Sequence, residues 1–223
     1  MAKLGIEHQN LDHIVYRELK NMILERKLEP GGKIYQDRLA RQLGVSRTPL
    51  VNALKILEHE KLIIAKPRRG YFVRLFSKAE MVQIFELREV LEGLAARRAA
   101  RQATDSQRKK LQSFFQVFQG GDDFSNLKSY AAEDRGFHNY LISIAAKEFL
   151  AGILETYNVI TFSYQVEQAE GLVRPPAETI HEHRAIIDAI CRKDESKAET
   201  LIRRHLRITG EKLREEITRN GDE

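Results

Sequence analysis

Four side chains stand out for the chemistry they could do together. Asp134 and His138 lie four residues apart in a segment that also carries Tyr130, Phe137, Leu141 and Ile142. On a helix, that spacing puts a carboxylate and an imidazole on one apolar face. His183 sits at helical spacing among Ile180, Ile187 and Ile190, and His205 among Leu201, Ile202 and Ile208. All four are therefore expected to face an interior. A buried carboxylate without a partner is costly. A divalent cation held by three imidazoles and one carboxylate would relieve that cost. Imidazole suits zinc, nickel, copper and iron, and manganese where a carboxylate helps. The plainer alternative is that each histidine is a satisfied core residue, the commoner fate of a lone histidine on an apolar face. Periodicity shows that the four face inward, not that they meet. His181, two residues from His183, is expected to point elsewhere. The run His181-Glu182-His183-Arg184-Ala185 is not a metalloprotease signature, because H-E-x-x-H demands a second histidine where Ala185 stands.

The elements that must position these groups are all helical. Ser77-Lys78-Ala79-Glu80 reads as a capping box opening a long helix to about residue 102, with Met81, Ile84, Phe85, Leu87, Leu91 and Leu94 on its apolar side. A second box, Thr104 to Gln107, opens a helix bearing Leu111, Phe114, Phe115 and Phe118, stopped by Gly120-Gly121. Further helices are expected over about 126–146, 149–168, 179–192 (capped by Thr179-Ile180-His181-Glu182) and 194–219. Short connections between amphipathic helices imply an antiparallel bundle. Arg88 lies four residues before Glu92, and a surface ion pair is the plainer alternative for that arginine.

The first third of the chain has a different character. Leu11 to Lys27 reads as a helix with Val15, Leu19, Met22 and Ile23 on one face, followed by the turn Glu29-Pro30-Gly31-Gly32 and a connection through Lys33–Tyr35. Gln36 to Leu62 then reads as two helices about a tight turn. Gly44 ends the first, and Ser46 or Arg47 starts the second, with Pro49 in its first turn. Leu50, Ala53, Leu54 and Leu57 face inward, while Arg47, Thr48 and Asn52 lie on the polar side. Such a pair places its second helix in the DNA major groove. Two short apolar runs, Leu62–Ala65 and Tyr71–Leu75, flank the basic turn Lys66-Pro67-Arg68-Arg69-Gly70 and suggest a two-stranded wing. Arg68 and Arg69 at its tip suit phosphate or the minor groove. Residues 1–76 carry 15 Lys+Arg against 8 Asp+Glu, a net of +7, and the remainder carries 22 against 24. The positive charge thus sits where nucleic acid is expected.

These stretches carry a resemblance. LARQLGVSRTPLVNALKILEHEKLI followed by PRRGYFV resembles the winged helix-turn-helix of GntR-type bacterial transcription regulators, over roughly residues 10–76. The resemblance implies DNA contacts from Arg38, Arg47, Thr48 and Gly70. The family pattern usually reads R-T-P-V-R-E-A-L. Here Val51 replaces the second recognition arginine, and Asn52 stands where a glutamate is usual. Residues 77–217, through IFELREVLEGLAARRAA, AAEDRGFHNYLISIA, EHRAIIDAICRKDESKAE and RRHL, resemble the FCD ligand-binding domain of the FadR subfamily. That resemblance implies a metal held by Asp134, His138, His183 and His205, a small carboxylate bound beside it, and Arg88 in the ligand pocket.

The resulting expectation is a mainly α chain of two domains. Residues 1–76 form a winged helix-turn-helix of three helices and a two-stranded wing; residues 77–223 form an all-α antiparallel bundle that binds effector and dimerises. The expected function is a metabolite-controlled transcription regulator, most often a repressor, working as a homodimer on a pseudo-palindromic double-stranded operator. Its cofactor is a divalent ion (zinc, nickel or manganese) and its effector a small organic acid. The alternative is a metal-dependent hydrolase of small carboxylate derivatives, since an open position on such an ion can activate water. Against it, no nucleophile or general base accompanies the histidines by spacing, so a non-enzyme is expected. One cysteine, Cys191, permits no intrachain disulfide and fits a reducing cytoplasm, at the bacterial nucleoid. No apolar run approaches the ~20 residues of a membrane span, and the N-terminus lacks a signal-peptide layout.

Overall fold

The computed structural model describes residues 6–118, 127–145, 149–165 and 173–220. The chain divides into two compact units, Met1–Leu75 and Phe76–Glu223.

In the first unit, α1 (Ile6–Leu24) buries Val15, Leu19, Met22 and Ile23. It ends three residues before the expected Lys27, because Arg26 turns into the left-handed region and the Leu28 amide closes on the Met22 carbonyl at 3.0 Å. α2 (Gln36–Leu43) ends at Gly44, whose φ of 65° lets its amide satisfy the last carbonyls. α3 (Arg47–His59) buries Pro49, Leu50, Ala53, Leu54 and Leu57 and packs on α1. The wing strands are β2 (Ile63–Lys66) and β3 (Gly70–Val73), antiparallel with Ile63 opposite Val73 and Lys66 opposite Gly70. The sheet has a third strand that the sequence reading missed. Lys33–Ile34 forms β1, which pairs with the outer side of β3 in the order β1-β3-β2. Two residues of connection show no periodicity, so their pairing is legible only once β3 is in place.

In the second unit, α4 (Lys78–Gln102) and α9 (Glu195–Asn220) run along each other as its longest elements. α5 (Asp105–Ser113), α6 (Leu127–Ala145), α7 (Phe149–Gln165) and α8 (Pro176–Cys191) complete the described bundle. Both expected capping boxes form, at Ser77 with Glu80 and at Thr104 with Gln107. Two expectations are corrected. The second bundle helix does not carry Phe114, Phe115 and Phe118 on one face: α5 ends at Ser113, Phe115 adopts φ 63°, and a 3-10 turn spans Gln116–Phe118. Thr179 is not a cap either. α8 begins at Pro176, where a missing N–H is harmless, which leaves Thr179 inside the first turn. The stop expected at Gly120-Gly121 lies outside the described residues.

Candidate metal centre and nucleic-acid interface

The inward face of α6 carries Tyr130, Asp134, Phe137, His138 and Leu141, all buried. Across from it, His183 on α8 and His205 on α9 are also buried. The bundle brings the three imidazoles together. Their ring centroids lie 5.5 Å (His138–His183), 5.7 Å (His138–His205) and 4.5 Å (His183–His205) apart, and one ligand atom from each falls within 4.8 Å of the others. Asp134 joins them from one side, its Oδ1 lying 3.1 Å from His183 Nε2. His181 is exposed and takes no part.

The partners of these rings show which nitrogen each can give. His138 Nδ1 lies 2.5 Å from Glu92 Oε2, His205 Nδ1 lies 2.7 Å from Glu182 Oε2, and His183 Nδ1 lies 3.2 Å from the Tyr130 hydroxyl. With Nδ1 of His138 and of His205 facing a carboxylate, Nε2 is the nitrogen each would give to an ion. His183 Nε2 is buried without a hydrogen-bond partner among the described residues, although Asp134 lies close by. A buried orphan of that kind requires a reason, and a cation between the imidazoles and Asp134 supplies one. Burial, then the nearby positive groups, pushes the His183 pKa well below its ordinary value. Burial also lowers His205, with Glu182 opposing it. Both shifts favour the neutral ring, the form that ligates. The donor set fits a divalent ion.

Neither glutamate was singled out from the sequence. Arg88 and Glu92 do pair four residues apart, but in the interior and not in the surface ion pair of the plainer alternative. They are 1% and 0% exposed, with Arg88 Nε donating to Glu92 Oε1 at 2.6 Å. Burial alone would raise the Glu92 carboxyl; Arg88 and His138 outweigh it and hold it at about 2. Burial likewise works to raise Glu182, and His205 and Arg174 hold it at about 2. Arg174 grips Glu182 with two bonds of 2.8 Å each. Phe115, placed by the break after α5, stacks on His183 at 4.7 Å with the rings 2° from parallel. Beside the histidines lies a small pocket of about 20 Å³ with Arg88, Asp134, Arg174 and Thr209 in its walls.

In the first unit, Arg38 on α2 and Arg47 and Thr48 at the start of α3 are exposed, as are Arg68 and Arg69 at the wing tip. Gly70 has φ 91°, which glycine alone adopts cheaply. Arg47 Nη2 lies 3.7 Å from Asp37 Oδ1, with both side chains exposed, so water screens the pair. Asn52 differs from the other polar residues of α3. Its side chain donates to Asp12 on α1 at 2.9 Å. Val51 is half-buried.

Comparison with known proteins places both units. The family described as "Bacterial regulatory proteins, gntR family" matches residues 12–73, and the FCD domain matches residues 83–208, more than half of the chain. The chain belongs to the GntR family of transcriptional regulators. This GntR regulator is 25% identical over 214 residues to the HTH-type transcriptional repressor RspR of Escherichia coli strain K12, covering 96% of this chain and 93% of that one. It is 26% identical over 204 residues to the HTH-type transcriptional regulator YdhC of Bacillus subtilis strain 168, covering 89% of each. The solved structure of E. coli McbR/YncC has the same fold, with a TM-score of 0.75 at 22% identity over 92% of this chain and 98% of that one. The regulator therefore joins a DNA-binding winged helix-turn-helix to a helical FCD domain, the kind that binds a small-molecule effector. Among the described residues, no helix is long and apolar enough to cross a membrane.

Proposed function

We propose that this GntR regulator represses transcription as a homodimer on a pseudo-palindromic operator, and that a small organic acid bound in the FCD domain beside a divalent ion sets its affinity for DNA. The observation that carries the reading is the buried triad His138, His183 and His205, each with Nδ1 held by an outer partner and with His183 Nε2 left orphaned next to Asp134. These four side chains would hold the ion, with zinc, nickel or manganese matching their nitrogen and oxygen donors. The ion would supply an electrophilic anchor for a carboxylate. Arg88, in the pocket wall, adds a cation for the same carboxylate.

On the DNA side, Arg47 and Thr48 enter the major groove and Arg38 approaches from α2. Arg68, Arg69 and Gly70 bring the wing to the backbone or the minor groove. Asn52 acts instead as a tie holding α3 on α1, given its bond to Asp12. One recognition helix reads only a few base pairs, so specificity asks for two copies on two half-sites. Repression is supported by the name of the E. coli relative RspR, and a regulator that acts on chromosomal DNA would operate in the bacterial cytoplasm. The hydrolase alternative is weaker. Glu92 and Glu182, the glutamates nearest the histidines, are both spent on Nδ1 and an arginine, so neither is set up as a base.

Metal analysis after loading with manganese, nickel or zinc tests the site. Sedimentation at micromolar concentration, with and without operator, tests the dimer. A metal content near one per chain and a dimer in both conditions are expected; a metal-free protein or a monomer throughout would refute the corresponding part.

A further inference from the structure

Two of the three histidines are held by the same device. Glu92 on α4 receives Arg88 on one oxygen at 2.6 Å and faces His138 Nδ1 with the other at 2.5 Å. Glu182 on α8 receives Arg174 on both oxygens at 2.8 Å, and its Oε2 also faces His205 Nδ1 at 2.7 Å. Each arm reads arginine, glutamate, imidazole, and each crosses between helices: α4 to α6 in the first, α8 to α9 in the second. The third histidine has a different partner, the Tyr130 hydroxyl, which also meets Thr179 at 2.7 Å.

The difference matters chemically. An ionised carboxylate only accepts hydrogen bonds, so a neutral imidazole facing it must carry its proton on that nitrogen. A phenol both donates and accepts, so it leaves the tautomer of its partner open. Which ring nitrogen an ion can take is set by the hydrogen bond that the other one makes.

We propose that Glu92 and Glu182 are positioning residues for the cation site: each fixes its imidazole with the proton on Nδ1 and the Nε2 lone pair turned to the ion, and Arg88 and Arg174 hold the two carboxylates in register. The proposal rests on the reading that the histidine cluster binds a divalent cation. It gives Arg174 a role in the ion site without contact to the ion. It also gives Arg88 a second task besides meeting the effector, since the same guanidinium orients the carboxylate behind His138.

The first test needs no variant. Long-range proton–nitrogen spectra of the metal-free, full-length protein, labelled at histidine, report the tautomer of each ring. His138 and His205 are expected as Nδ1–H forms; an Nε2–H form at either would overturn the proposal. The second test uses two glutamates on one helix that share one arginine. Glu178 also pairs with Arg174, at 3.2 Å, but among the described residues it makes no hydrogen bond or ion pair with a histidine. Titration with zinc is expected to show a loss of roughly 10–100-fold in affinity for Glu182→Gln and less than about twofold for Glu178→Gln. The His205 tautomer signature is expected to change in Glu182→Gln and to persist in Glu178→Gln, which a merely structural role for Glu182 would not produce. Equal affinities in the two variants would overturn the proposal while leaving the cation site standing. Failure of the wild-type protein to take up zinc would overturn the cation reading and the proposal with it.

Discussion

Replacing Arg88 and Glu92 by methionine, singly and together, measures how far the bundle depends on both partners of its buried ion pair. Both side chains are essentially out of solvent, and the Glu92 carboxylate is compensated by one guanidinium and one imidazole. A carboxyl held at about 2 instead of 4.5 corresponds to about 3 kcal/mol in favour of its ionised form. Removing one member of a buried pair typically costs about 3–5 kcal/mol, because the other is left as an uncompensated charge. Each single variant is therefore expected to lose about 3–5 kcal/mol. Simple addition would give roughly 6–10 kcal/mol for the double variant. Methionine at both positions removes both charges at once and refills the space, and such exchanges are often neutral or better. What remains is the His138 Nδ1 donor without its acceptor, worth about 1–3 kcal/mol. The double variant is thus expected to be more stable than either single one. Urea unfolding in the presence of a chelator, followed by circular dichroism, measures all four corners of the cycle. A double variant whose loss equals the sum of the singles would show that the two side chains do not depend on each other. The pH dependence has a definite sign. The Glu92 pKa is lower in the folded chain than in the unfolded one, so its contribution is fully present above about 4.5 and is lost as pH falls towards about 2.

On the DNA side, Arg47→Ala and Arg38→Ala are each expected to cost about 1–3 kcal/mol in operator affinity and to relax one operator position, as read by a binding-site selection; an unchanged preference would refute the assignment. Arg68→Ala with Arg69→Ala is expected to reduce the salt dependence of binding by roughly two ions released, without changing the sequence preference, in titrations over a range of salt. Asn52→Ala is expected to lower the stability of the winged helix by about 1 kcal/mol and to leave the preferred sequence intact, and a changed preference at unchanged stability would return Asn52 to the reading surface.

What the sequence made legible follows from what is local. Gly44, the Ser46-Arg47-Thr48-Pro49 start and both capping boxes signal their structure within a few residues, and all of them form. The inward direction of His138, His183 and His205 was readable because apolar neighbours at helical spacing mark one face. Their meeting was not, since convergence depends on how three helices pack. The spacing of Arg88 and Glu92 leaves their placement open for the same reason: an arginine and a glutamate four apart form the same pair on a surface or in a core, and only the neighbours tell which. Phe115 keeps the helical period of its neighbours, which predicts a place on the helix face, yet the chain leaves the helix at Phe114 and that ring lies on His183. Arg174 sits in no periodic pattern, and its role comes from Glu182, eight residues on. Asn52 shows in the sequence only its place on the polar side of α3, and its bond to Asp12, 40 residues earlier, depends on how α3 packs on α1.

The most direct test of the account is the response of operator binding to small carboxylates in metal-loaded protein, compared between wild type and His183→Ala. For the acid that fits, wild-type operator affinity is expected to change by about 5–150-fold, the usual range of coupling between two sites. By the same linkage, operator DNA must change the affinity for that acid by the same factor. In His183→Ala the ratio of operator affinities with and without the acid is expected to return to one. A full response in His183→Ala would contradict the claim that the histidine cluster is where the signal is received.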